Sequence, residues 1–221
     1  MRPVLPPLFA AVALFMATPL AAQDALQITL GGDRLGQLTH TLSRDTRDLG
    51  LLLDSTPFGV FDGSYSGRTV TSDGVARHSG RTRSSRKSRD LSMRTDTGQL
   101  REVSLLPEEE RTALTAPEAV TGTVLDPVSG FGRLIEAKAC PDGLRIYDGR
   151  RIGLLSLAEE RRDADEVICR ATFRVVEGPG YLEPLGISNL SVELRYEVTE
   201  PGWQLKRVGA RSGPFNLVIV R

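Results

Sequence analysis

A period of two in the hydrophobic pattern constrains this chain more than any other feature. From Ser191 to Val198 apolar and polar residues alternate strictly, so one set of side chains faces a dry core and the other faces water. The segment from Val167 to Val175 repeats the pattern and places Cys169 on the apolar side. The pattern predicts antiparallel strands with one covered face.

Turn-forming residues separate consecutive strand-like segments at several places. Asp148-Gly149 is the clearest, because Asp-Gly favours the primed turns that match the twist of paired strands. Other expected turns are centred on Gly31-Gly32-Asp33, Thr97-Gly98 and Glu200-Pro201-Gly202. We therefore expect a mostly antiparallel meander that closes with the apolar segment from Phe215 to Val220.

One segment departs from the period of two. Asp126-Pro127 has the character of a helix N-cap followed by proline at the first helical position. The apolar residues that follow share one helical face: Val128, Phe131, Leu134 and Ile135. The predicted fold class is mainly β, a curved antiparallel sheet or half-barrel of about 8–11 strands with one covering α-helix near residues 126–138. The Pro- and Glu-rich stretch before it, Leu106 to Thr123, is interpreted as a surface connection.

Residues 1–22 have the three-part layout of a secretory signal peptide. Met1-Arg2 supplies a charge, the run from Leu8 to Met16 is apolar, and Ala21-Ala22 precedes polar residues. The apolar run is too short to span a hydrocarbon core of ~30 Å comfortably. We expect cleavage after Ala22, with the next bond as runner-up, and a single exported β-rich domain over residues 23–221. An uncleaved N-terminal anchor is the alternative.

Composition limits the classes of partner. The chain has 28 basic and 28 acidic residues in 221 positions, so it carries no net charge. A protein that held nucleic acid by bulk charge would be strongly basic, so we expect no nucleic-acid partner. We expect a periplasmic location, with no transmembrane anchor after signal cleavage. The oligomeric state is not set by any feature of the sequence.

Cys140 and Cys169 are the only cysteines. In an oxidising compartment an even number of cysteines favours a disulfide. Closing a loop of about 30 residues would stabilise the fold by about 3–4 kcal/mol. A redox pair is the alternative, although closer spacing such as Cys-x-x-Cys is typical of that function. We predict a structural disulfide that fastens the end of the helix to the sheet.

Several of these features together resemble the exported bacterial proteins of domain-of-unknown-function family 3108. The features are Leu125-Asp126-Pro127, Cys140, Tyr147 to Arg151, Cys169, the strand Phe173 to Val176 leading to Gly178, and the strand through Tyr196. The similarity is best from Thr123 to Arg221 and weaker from Ala25 to Leu106. The resemblance implies an exported β-rich domain, distantly similar to the half-barrels of lipoprotein carriers, with no established activity. The Arg- and Ser-rich stretch from Arg77 to Arg89 departs from the family pattern.

Motifs for catalysis and metal binding are weak. The segment Gly63 to Gly67 has Tyr65 where a nucleophile elbow needs its nucleophile. His40 and His78, which we expect at the surface, cannot form a usual zinc site with two bonded cysteines. No partner acid at a definable spacing supports a catalytic role for Asp148. We therefore expect no enzyme, no catalytic residue, no metal and no cofactor.

Arg150 and Arg151 follow the Asp148-Gly149 turn. Their planar guanidinium groups are suited to a carboxylate or a phosphate. The interpretation that we favour is that one side chain covers an apolar neighbour with its stem while the other is solvated.

The stretch from Arg77 to Arg94 is strongly basic, with Asp90 as its only acidic residue. Such a run could bind anionic envelope material such as lipid head groups or phosphates. The anion-patch candidates are Arg81, Arg83, Arg86, Lys87 and Arg89. The favoured alternative is a solvated hairpin edge kept from aggregating by its charge.

The expected function is a non-catalytic envelope binding or carrier module for an apolar or anionic ligand. An apolar cleft between the helix and one strand would hold the ligand, whose head group the basic stretch would attract. The cleft candidates are Val128, Phe131, Leu134, Ile135, Val192, Leu194 and Tyr196. The partner would be an envelope lipid, glycan or protein, and the alternative function is a structural or protein-interaction component of the envelope.

Overall fold

The computed structural model describes residues 22–54, 62–85, 87–180, 187–200 and 202–221. Within them it has thirteen strands and one α-helix, α1 (Pro127–Ile135). The first seven strands are β1 (Ala22–Leu30), β2 (Asp33–Ser43), β3 (Thr46–Leu53), β4 (Gly63–Ser72), β5 (Val75–Arg83), β6 (Ser88–Asp96) and β7 (Gln99–Leu106). The other six are β8 (Leu144–Tyr147), β9 (Ile152–Asp163), β10 (Glu166–Glu177), β11 (Asn189–Thr199), β12 (Gly202–Ser212) and β13 (Phe215–Val220). The predicted signal peptide, apart from Ala22, lies outside the described residues.

All thirteen strands belong to one antiparallel sheet with the order β7-β6-β5-β4-β3-β2-β1-β13-β12-β11-β10-β9-β8. The two edges, β7 and β8, do not pair with each other, so the sheet is not closed into a barrel. The predicted fold class is confirmed, and the strand number exceeds the expected range. Positive backbone φ angles at Asp73 and Gly74 allow a tight turn between β4 and β5.

The sheet curves around α1. The helix contacts β3 and β4 in one half of the sheet and β8 and β12 in the other half. A helix of nine residues is only about 14 Å long, so the two halves must bend towards it. Gly67 permits the close approach, because a Cβ at that position would lie 2.6 Å from Val128 Cγ2. We call the face of the sheet that packs on α1 the inner face and the opposite one the outer face.

A short extended segment, Thr123 to Leu125, lies between the two sheet edges. The backbone N–H of Val124 donates to the carbonyl of Gly98, at the turn before β7. The N–H of Leu125 donates to Arg145 of β8, and Leu125 accepts from Tyr147 in return. This segment therefore satisfies backbone groups at both edges that would otherwise be open to another chain.

Two buried apolar clusters fill the inner side. The larger joins α1 to β1–β3 and β9–β13. The smaller joins β6 and β7 to the β8–β9 hairpin, together with Leu114 and Val120 of the connection before the helix. That connection contains 3₁₀ turns at Glu108–Glu110, Ala113–Thr115 and Pro117–Ala119. The connection lies mostly at the surface, as predicted, but Leu114 and Val120 are buried and seal the second cluster.

Candidate functional site

The residues predicted to line an apolar cleft belong to the larger packed cluster. Val128, Leu194 and Tyr196 are fully buried, while Phe131 and Ile135 are partly buried against the same cluster. The Tyr196 hydroxyl donates to the carbonyl of Leu134 at 2.9 Å, which fixes the helix to β11. These contacts describe a packed interface between α1 and the strand, and ligand binding there stays a prediction.

The predicted disulfide is confirmed. Cys140 and Cys169 are bonded, with their Cα atoms 5.5 Å apart. Cys169 is fully buried on the inner face of β10, as the alternation of its strand predicts. Because Cys140 lies five residues after the end of α1, the bond ties the chain beyond the helix to the sheet.

The predicted basic patch is divided by ion pairs into two parts. Arg83 Nη1 lies 2.7 Å from Asp90 Oδ1, and Arg81 Nε lies 3.5 Å from the same oxygen. Lys87, Arg89 and Arg150 surround Glu110, at 3.3, 2.6 and 3.1 Å from its carboxylate. The hairpin of β5 and β6 is also one strand inside the sheet edge, so the expected solvated edge is wrong. Arg86 lies outside the described residues.

A polar cleft of about 460 Å³ crosses the outer face of β4 to β7. Its floor is a cross-strand row in which Ser79 of β5 faces Ser92 of β6, and Ser92 faces Ser104 of β7. Successive residues of a strand point to opposite faces, so this row lies opposite the inner residues His78, Leu91 and Leu105. We call this feature the serine cleft.

An arginine–aspartate pair flanks the serine cleft on one side, and two arginines that share an aspartate flank it on the other. Arg68 donates from Nε to Asp48 Oδ1 at 2.6 Å, and Arg83 and Arg81 meet Asp90 on the other side. The hydrogen bond to Asp48 raises the pKa of Arg68, and the hydrogen bond from Arg83 lowers the pKa of Asp90. The cleft therefore combines charged donors, charged acceptors and hydroxyl groups.

Both histidines are buried beneath the ends of α1, so the expectation of surface histidines is wrong. His78 Nδ1 lies 3.1 Å from Asp126 Oδ1 and 3.0 Å from Thr69 Oγ1, which itself donates to Asp126 at 2.7 Å. Because both neighbouring oxygens accept, Nδ1 carries the proton. Asp126 also caps the helix by accepting from the backbone of Ser129 at 2.9 Å. The sequence predicts the Asp126 cap from its neighbours, but it does not predict Thr69 and His78 as partners, because they lie on strands distant along the chain.

His40 occupies the corresponding position at the other end of the helix. Its Nε2 lies 3.8 Å from Glu136 Oε1, and Arg47 forms a two-pronged contact with the same carboxylate at 2.7 and 2.8 Å. Burial lowers the pKa of His40, and the charge of Arg47 lowers it further, while Glu136 and Asp48 oppose them. His40 is therefore neutral at pH 7.

The hairpin predicted at Asp148-Gly149 is present, with Tyr147 of β8 paired to Ile152 of β9 and a positive φ at Gly149. The expectation that one of its arginines is solvated is wrong. The Asp148 carboxylate accepts from the backbone N–H groups of Arg150 and Arg151, at 3.0 and 2.9 Å. Arg151 Nε also lies 3.0 Å from Asp148 Oδ2, and its side chain is only 4% exposed. Arg150 is similarly enclosed beside Glu110. Neither arginine is solvated, because acidic groups from the turn and from the connection hold both.

Comparisons with models of known families, with curated proteins and with solved structures gave no match. In the part of the chain that the structure describes, no helix combines the length and the apolar character required to cross a bilayer.

Proposed function

We propose that this chain is an exported, non-catalytic binding module of the cell envelope, and that the serine cleft is its ligand-binding surface. The proposal rests on one observation, the cross-strand row of Ser79, Ser92 and Ser104. Paired arginine and aspartate side chains lie on both sides of this row. Export to the periplasm is supported by the signal-peptide pattern and by the disulfide. Cleavage after Ala22 would leave β1 intact except for its first residue. The resemblance to family 3108 stays a prediction that agrees with this location.

The charges of the serine cleft favour binding over catalysis. A general acid or base works best with a pKa near the operating pH. Here the pKa of Arg68 is raised and that of Asp90 is lowered, so both groups move away from neutrality. Fixed donors and acceptors of this kind orient a ligand without exchanging protons with it.

A glycan is the ligand class that fits these groups best. Each sugar hydroxyl donates and accepts hydrogen bonds, as do the serine hydroxyls of the floor. The charged residues that line the cleft, Arg68, Arg81, Asp48 and Asp90, each lie beside an opposite charge, so none of them is left unpaired to select an ion. Leu106, which is 49% exposed, adds an apolar contact for the C–H face of a sugar ring. The floor crosses two strand spacings, about 10 Å, which suits a short oligosaccharide.

The test is binding of labelled envelope oligosaccharides, from lipopolysaccharide core and from peptidoglycan, to the purified mature chain. Ser92→Leu would fill the middle of the floor, and we expect it to weaken binding about tenfold, equivalent to about 1.4 kcal/mol. Ser43→Leu is the matched control, because Ser43 is an exposed serine at the end of β2, outside the cleft. Equal binding by the wild type and the Ser92 variant, or no binding of any oligosaccharide by the wild type, would contradict the proposal.

A further inference from the structure

A second cleft, of about 330 Å³, lies on the outer face of the other half of the sheet, over β10, β11 and β12. Gly209 of β12 is buried at its bottom, opposite Glu193 of β11. A Cβ at Gly209 would meet only Glu193 atoms, at 3.9 and 4.0 Å, so the missing side chain leaves a gap in this face. Arg207 and Arg211 lie two residues to either side of Gly209 and therefore point to the same face. We call this feature the Gly209 cleft.

The charge of the Gly209 cleft is positive. Arg170, Arg207 and Arg211 line it against a single carboxylate, Glu193. Glu193 is already engaged, since it accepts from Arg195 at 2.8 Å and lies 3.6 Å from Arg170. Arg170 in turn donates to Glu159 at 2.8 Å. These contacts compensate the charges of Glu193 and Arg170, whereas the charges of Arg207 and Arg211 stay uncompensated.

The two remaining arginines have no anionic partner among the described residues. Arg211 donates to a neutral amide oxygen, that of Asn216, at 3.1 Å. Arg207 makes no side-chain hydrogen bond or ion pair with any residue that the structure describes. An arginine usually satisfies some of its five donors, and Arg170 and Arg195 on the same face each have a carboxylate beside them. A gap flanked by two uncompensated guanidinium groups is therefore a place for an anion from outside the chain.

Neutral donors complete the site. Ser191 of β11 faces Arg211 across the β11–β12 pair, and Thr172 of β10 faces Ser191. Both hydroxyl residues line the Gly209 cleft. The guanidinium groups of the two arginines and the two hydroxyl groups can each donate to a different oxygen of a phosphate group.

We propose that the Gly209 cleft binds a phosphate group, with Arg207 and Arg211 as its charged ligands and Ser191 and Thr172 as neutral donors. The phosphate belongs either to a soluble phosphate ester or to a lipid head group, and the two sources present the same chemistry. This site is separate from the serine cleft, which lies in the other half of the sheet, and it adds an anionic ligand to a module proposed to bind glycans.

Binding of inorganic phosphate to the mature chain, measured by calorimetry in low-salt buffer, tests the site. We expect Arg207→Gln and Arg211→Gln each to weaken binding about tenfold, because each removes a charge-assisted contact. Gly209→Ala keeps every charge and narrows the gap, and we expect it to weaken binding as well. Arg44→Gln is the matched control, since Arg44 is an exposed arginine in the β2–β3 turn and its loss changes the net charge equally.

Vesicles distinguish the two sources of phosphate. Retention on phosphatidylglycerol vesicles but not on phosphatidylcholine vesicles, with loss in the Arg207 and Arg211 variants, assigns a lipid head group. Phosphate binding without vesicle retention assigns a soluble ester. The proposal is overturned if wild type does not bind phosphate, or if Arg44→Gln weakens binding as much as Arg207→Gln. Ser92→Leu should leave phosphate binding unchanged. The glycan proposal for the serine cleft and the phosphate proposal for the Gly209 cleft can therefore fail separately.

Discussion

Asp126 has two roles at the scale of a single residue, as the N-cap of α1 and as the acceptor for two side chains of the sheet. Thr69 and His78, which belong to β4 and β5, have no route to water at this point. Losing a cap costs about 0.5–2 kcal/mol, and leaving a buried donor unsatisfied costs about 1–3 kcal/mol. The Asp126 carboxylate therefore holds the first turn of α1 against β4 and β5.

We expect Asp126→Ala to lower the free energy of unfolding by about 2–4 kcal/mol, measured by urea denaturation. Asp126→Asn is the matched control, because the amide keeps a cap acceptor in the same shape. It should cost less than the alanine variant. Equal stability of the alanine variant and wild type would contradict the role assigned to this carboxylate.

The same residue and His40 set the expected response to acid. Burial acts to raise the pKa of Asp126, but the hydrogen bonds and charge of His78, with the bonds from Ser129, lower it to about 2. Its folded pKa is below the unfolded value of 3.8, so its contribution is present above pH 4 and is lost as pH falls towards 2. The pKa of His40 is also lowered, from 6.5. The stability that depends on neutral His40 is therefore present above about pH 6.5 and is lost as the pH falls below that value.

Urea unfolding at a series of pH values should therefore show stability falling in two separate windows. His40→Gln removes the titrating group and should flatten the upper window, while the fall below pH 4 remains. An unchanged slope between pH 7 and pH 5 in this variant would show that His40 does not set the upper window.

At the scale of elements, the disulfide fastens the chain after α1 to β10. It closes a separation of 29 residues, for which the chain-entropy model gives about 3–4 kcal/mol. We expect Cys140→Ala to lower the free energy of unfolding by about this amount. Wild type measured with a reductant should fall to a similar stability, and no change on reduction would contradict a stabilising role for the bond.

Elements with local signals were predictable from the sequence. The Asp148-Gly149 turn, the Asp126-Pro127 helix start and the alternation from Ser191 to Tyr196 each act through neighbouring residues, and each is observed. Val198, predicted on the dry face, is 41% exposed near the end of β11. The helix ends at Ile135, earlier than the predicted boundary near 138, with Glu136 as its C-cap. Local patterns fix the type of an element better than its last residue.

At the scale of the whole molecule, the candidate sites depend on register, which no local pattern specifies. Ser79, Ser92 and Ser104 are unremarkable in sequence, and they form a floor only because three strands pair in one alignment. The histidines were misassigned for the same reason, since His78 meets a carboxylate 48 positions away. The basic stretch was visible, but Asp90 and Glu110 neutralise parts of it through contacts made in the fold.

The order of the sheet also bears on how the chain folds. Every pair of neighbouring strands except β1 and β13 is consecutive along the chain. The segments β1–β7 and β8–β13 are therefore two meanders whose contacts form between residues close in sequence. The β1–β13 pairing instead joins Gln27 to Val220, and bringing such distant residues together has a high loop-closure entropy. We therefore expect contacts within each meander to form first, and the rate of folding to depend on the step that joins β1 to β13.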